Sequence, residues 1–86
     1  MSAMQSPRDQ AQAGLRHIEN AILSLLESHP DGLINAEIAK LLSIESGAPG
    51  KHRNMLSWSM IERLMDSGRV ERVTVGKRKL LRLKAV

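Results

Sequence analysis

Eighty-six residues, 42% of them apolar, suffice for one small core and leave little room for a deep catalytic pocket. Cysteine is absent, which excludes a disulfide framework and a thiolate zinc site, and no apolar run approaches the roughly 18 residues of a membrane span. The formal net charge of +4 is unevenly spread: residues 1–50 carry three basic and six acidic groups, a net of −3, whereas residues 51–86 carry ten and three, a net of +7. Positive potential therefore gathers in the C-terminal part, which favours a polyanionic partner.

In chain order, the polar start MSAMQSPRDQAQ has no signal-peptide core. With no membrane span, a cytoplasmic protein is expected, nucleoid-associated if bacterial. Ser6-Pro7-Arg8-Asp9 has the form of a helix start: a serine cap, proline at the first helical position and an acid three residues after the cap. Ala11, Leu15, Ile18, Ile22, Leu25 and His29 then recur at spacings of four and three, which predicts an amphipathic helix to about Ser28. Gly14 costs roughly 1 kcal/mol relative to alanine inside a helix. Residues 1–13 are therefore read either as a polar tail or as an extension of the first helix, ahead of a domain spanning 14–86. As an extension they offer a surface for a second copy of the chain, so a homodimer through the first helix is one expectation and a flexible tail the other.

His29-Pro30-Asp31-Gly32 ends that helix. Gly32-Leu33-Ile34 is long enough only to add a small strand to a later hairpin. Asn35 is a favourable N-cap for a short helix to Leu42 that buries Ile38, Leu41 and Leu42, with Glu37 in its first turn. Residues 43–50 read as a loop.

The stretch from Lys51 to Gly68 predicts a third helix. At 100° per residue, Leu56, Trp58, Met60, Ile61, Leu64 and Met65 fall on an apolar arc, and Lys51, His52, Met55, Ser59, Glu62, Arg63 and Asp66 on a solvent arc. Gly68 supplies the stop. Beyond it, Val73 and Val75 alternate with polar residues, as do Leu81 and Leu83, around a reversal at Gly76-Lys77-Arg78-Lys79. This predicts a β-hairpin. Placing both valines opposite the leucines requires an odd loop of three or five residues, with Lys77 and Arg78 at its tip. The fold class expected is mainly α with a small antiparallel β-hairpin, three helices in all.

The order helix, short strand, helix, loop, longer helix and basic hairpin resembles the winged helix-turn-helix family over residues 15–84. Gly32-Leu-Ile-Asn-Ala-Glu-Ile-Ala-Lys-Leu-Leu42 is similar to the strand and second helix of such domains, and Asp66-Ser-Gly-Arg-Val-Glu-Arg72 to their junction between recognition helix and wing. Leu56-Ser-Trp-Ser59, followed by the wing, is also similar to small winged-helix modules that accompany bacterial restriction-type nucleases. The loop at 43–50 is longer than the usual turn, and no ligand-sensing or nuclease domain is recognised in the sequence.

The resemblance implies double-stranded DNA binding, with the third helix in the major groove and the wing on adjacent backbone, in a transcriptional regulator or an accessory DNA-recognition module. It places Lys51, His52 and Arg53 near phosphate at the helix start, with Arg53 having to bend outward from the apolar arc. Met55 and Ser59 fall at base edges. Lys77, Arg78 and Lys79 would track phosphates, supported by Arg72 and Arg82, while Glu62 and Asp66 repel phosphate and confine contact to the first two helical turns.

Single-stranded DNA or RNA is less favoured, since stacking platforms need exposed aromatics and Trp58 is the one aromatic residue. The alternative to DNA is a winged-helix module that binds protein through the first helix or Met55. An enzyme is not expected: His17, His29 and His52 lie far apart in sequence and match no metal motif, and the serines around Trp58 lack a nucleophile-elbow setting. No cofactor or metal is expected either.

Overall fold

In the computed structural model, which describes residues 6–45 and 54–84, the first helix starts as its sequence dictates. Ser6 Oγ accepts the backbone N–H of Asp9 at 3.1 Å, and Pro7 occupies a position whose N–H has no helical partner. This helix, α1, spans Pro7–Glu27. It runs through Gly14 without a break, because good helix formers on both sides outweigh one glycine. Ser28 closes it, and His29 donates from Nδ1 to the Leu25 carbonyl at 2.9 Å.

The second helix, α2, spans Asn35–Leu41. Ile34, not Asn35, is its cap residue, and the Ile34 N–H is held by the Glu37 carboxylate at 3.0 Å. Asn35 is instead the first helical residue. The buried face of α2 is Ile38 and Ala39, with Leu42 half-buried, while Leu41 is 56% exposed. The expectation that Leu41 is buried is therefore corrected. Ile38 and Leu42, four apart, define the inner face, and Leu41 lies off to one side of it.

The third helix, α3, spans Met55–Asp66, and the expected helical residues Lys51, His52 and Arg53 lie outside the described residues. Its buried stripe is Ser57, Met60, Ile61 and Leu64. Leu56, expected in the core, is exposed: it lies about 100° from Ser57, on the flank opposite Trp58. The helix ends in a Schellman arrangement, in which Arg69 N–H reaches the Leu64 carbonyl and Gly68 N–H the Met65 carbonyl, each at 3.0 Å. Ser67 Oγ also donates to the Leu64 carbonyl.

Two antiparallel strands follow, β1 at Val70–Val75 and β2 at Arg78–Leu83. Val75 pairs with Arg78, Val73 with Leu80, Arg72 with Leu81 and Val70 with Leu83. The loop is thus the two residues Gly76 and Lys77, not the odd loop expected from the sequence. Gly76 takes a φ of +62°, which lets the chain reverse in two residues with the twist a hairpin needs. Val73 and Val75 therefore share a face with Leu80, whereas Val70 takes the buried place beside Leu81 and Leu83. Arg78 opens β2 instead of sitting at the tip.

Leu33 bridges Leu81 across the other side of β2, with both backbone N–H groups paired at 2.8–2.9 Å. Gly32, at φ +97°, precedes it, and a Cβ there would lie 3.0 Å from the Leu81 carbonyl oxygen. Only glycine allows this approach without strain.

The core is built where these elements converge: Ile22 and Leu26 of α1, Ile38 of α2, Ile61 and Leu64 of α3, Val70 of β1 and Leu81 of β2. Each such side chain stabilises the fold by about 1.5–3 kcal/mol relative to exposure. Among the described residues the architecture is three helices and a two-stranded antiparallel hairpin, mainly helical.

Candidate nucleic-acid interface

The hairpin positions most of the candidate cations. Lys77, Arg78 and Lys79 are exposed in or beside its turn, and Arg72 is exposed on β1 opposite Leu81. Its pleat sets Val70, Arg72 and Thr74 on one face, opposite Leu83, Leu81 and Lys79. Near the helices this face is core, through Val70 and Leu81. Toward the tip the core ends, and the same face presents Arg72 and Lys79 to solvent.

Ion pairing sorts the arginines. Arg82 is held by Glu71, its cross-strand neighbour, at 2.6 Å, and Arg78 reaches Glu37 of α2 at 3.4 Å. Arg63 of α3 pairs with Glu19 of α1 at 3.3 Å. Arg72, Lys77 and Lys79 take part in no ion pair among the described residues. Arg82 is thus committed to the sheet more than its sequence position suggests, and of the candidate cations on the hairpin Arg72, Lys77 and Lys79 are the ones that no carboxylate among the described residues offsets.

Met55 and Ser59 are exposed on α3, as are Glu62, Arg63 and Asp66. Lys51, His52 and Arg53 fall outside the described residues. Trp58 of α3 is half-buried and packs against the core.

A cleft of about 430 Å³ opens between these parts, walled by Ile34, Asn35 and Ala36 at the start of α2, Trp58 of α3, and Arg72, Lys77, Arg78, Lys79 and Leu81 of the hairpin. One wall is fixed by a partly buried hydrogen bond, Ser57 Oγ to Asn35 Oδ1 at 2.5 Å. This bond ties the first residue of α2 to the buried stripe of α3 and satisfies the fully buried Ser57 hydroxyl. Sequence reasoning missed Ile34, Asn35 and Ala36 as cleft residues. Nothing local signals them, because the cleft joins segments far apart in the chain.

The chain matches no protein-family model, no curated protein and no solved structure. No helix among the described residues is long and apolar enough to cross a membrane. The described residues also contain no group of three or more His, Cys, Asp or Glu side chains able to hold a metal ion.

Proposed function

We propose that the chain is a winged helix-turn-helix module that binds double-stranded DNA, with α3 as the recognition helix and the hairpin as the wing. The observation that carries this reading is that the hairpin bears Arg72, Lys77 and Lys79 with no carboxylate paired to them among the described residues, while Glu37 and Glu71 offset its Arg78 and Arg82 and Glu19 offsets Arg63 of α3. Phosphates attract such a cluster, and each neutralised phosphate releases counterions. Met55 and Ser59 are exposed on the same helix face as Glu62 and Asp66. They are the side chains offered to base edges, and the two acids keep the C-terminal turns of α3 away from the backbone. A role in transcription regulation or as an accessory DNA-recognition module follows from such binding.

The test is titration of a labelled random-sequence duplex at several salt concentrations with the native chain and with a K77E/R78E/K79E variant. Salt-sensitive binding by the native chain, lost in a variant that still folds, is the expected result. Binding that persists in the variant, or that ignores salt, rejects the electrostatic mechanism.

A second reading, a protein-binding module, is favoured by the exposed apolar side chains Leu41, Met55 and Leu56. A chain that fails to bind duplex at low salt, but whose partner complex is lost in a Met55→Ser variant, would support it instead.

A further inference from the structure

The cleft between the hairpin and the helices is not needed to hold a continuous duplex. Its volume of about 430 Å³ lies within the roughly 300–1,000 Å³ of clefts that hold small organic ligands. Its walls are of two kinds. Ile34, Ala36, Leu81 and Trp58 are apolar, while Arg72, Lys77, Arg78 and Lys79 bring positive charge; of these Arg72 and Lys79 share the hairpin face that carries Leu81, and Arg78 is paired with Glu37. Glu37, whose carboxylate reaches two of the lining residues, is already balanced, held by Arg78 at 3.4 Å and by the Ile34 N–H at 3.0 Å. A flat apolar group carrying one or two negative charges complements this lining. A nucleotide has that form, a base next to a phosphate.

We propose that the cleft takes one unpaired nucleotide of a DNA strand, with its base against Trp58 and its phosphate on Arg72 and Lys79. The proposal rests on the DNA-binding reading and sharpens its substrate class: duplex interrupted by an unpaired nucleotide in place of continuous duplex. Base stacking on an aromatic side chain tolerates any sequence, so the preference is for the unpaired state and not for a particular base. A free mononucleotide shares the same chemistry and is the other source to be separated by experiment.

Trp58 makes the test direct, because the chain contains one tryptophan and no tyrosine or phenylalanine, so its intrinsic emission reports this wall of the cleft alone. Four probes are compared by anisotropy and by Trp58 emission: a blunt duplex, the same duplex with a one-nucleotide bulge, that bulge with the base removed, and a deoxynucleoside monophosphate. The expected result is binding of the bulged duplex about 5-fold or more tighter than blunt duplex, with quenching of Trp58, both effects lost when the bulge lacks its base. An Ala36→Leu variant, which fills the cleft from an exposed helical position, should lose the preference yet bind blunt duplex as before.

Equal affinity for all three duplexes with unchanged emission overturns the pocket and leaves the DNA-binding reading standing. Absence of binding to any duplex at low salt overturns both. Quenching by the mononucleotide without preference for the bulge overturns the strand as the source.

Discussion

Asn35 and Ser57 tie two helices together through a single pair of side chains. Asn35 has the residue type of an N-cap, yet its side chain accepts from the buried Ser57 hydroxyl, because leaving that hydroxyl unpaired costs more than an uncapped amide at a solvated helix end. Asn35→Ala is expected to destabilise the fold by about 1–3 kcal/mol in urea unfolding. Ser57→Ala should cost less, about 0.5–1.5 kcal/mol, because the half-buried Asn35 amide retains access to water. A reversed order would show that the pair does not hold the helices. Leu64, 1% exposed at the centre of the α3 stripe, is expected to cost about 2–5 kcal/mol on truncation to alanine. A loss below about 0.5 kcal/mol, within the range of surface substitutions, would mean that α3 is rotated.

Among elements, the hairpin and α1 respond to opposite constraints. The bridge between Leu33 and Leu81 brings the backbone at Gly32 against β2, and both the φ of +97° and the 3.0 Å approach exclude a Cβ. Gly32→Ala should therefore destabilise by more than about 1 kcal/mol in thermal unfolding, whereas Gly14→Ala in α1, where a Cβ meets nothing within 4 Å, should stabilise by about 0.5–1 kcal/mol. A Gly32→Ala variant as stable as the native chain would overturn the close approach at Gly32, and a destabilising Gly14→Ala would overturn the open space at Gly14. The early turns of α1 bury nothing fully, its buried residues being Ile22 and Leu26. Deleting residues 1–13 should leave the unfolding free energy within about 1 kcal/mol, because helix stability comes chiefly from tertiary packing. A larger loss, together with a lower mass in sedimentation, would identify these turns as the contact with a second copy.

At the scale of the whole molecule, charge is sorted in space as it is along the chain. The N-terminal acids Glu19 and Glu37 neutralise Arg63 and Arg78, and the hairpin keeps Arg72, Lys77 and Lys79 with no paired carboxylate among the described residues. If Arg72, Lys77 and Lys79 each meet one phosphate, the logarithm of the duplex binding constant should fall with the logarithm of salt concentration at a slope of about −2.7. A slope near −1, measured by anisotropy across salt, would confine the contact to one cation and reject the hairpin as the main phosphate site.

The amino-acid order by itself determined the three helices, the hairpin and the uneven charge, because these follow from local periodicity, caps and glycine stops. The Ser6 cap and the inward face of α3 through Met60, Ile61 and Leu64 were legible for that reason, while the small strand expected at Gly32-Leu33-Ile34 is reduced to a single bridge from Leu33 to Leu81. Tertiary structure decided what local periodicity cannot express. One residue of turn length moved Val73 and Val75 to the face opposite Leu81, an apolar helix position became exposed at Leu56 and Leu41, and a serine entered the core because Asn35 stood opposite it. The cleft belongs to the same class: Ile34 to Ala36, Trp58 and the hairpin cations become neighbours only when β2 docks beside Leu33, since no spacing along the chain records a contact between segments that meet through the core.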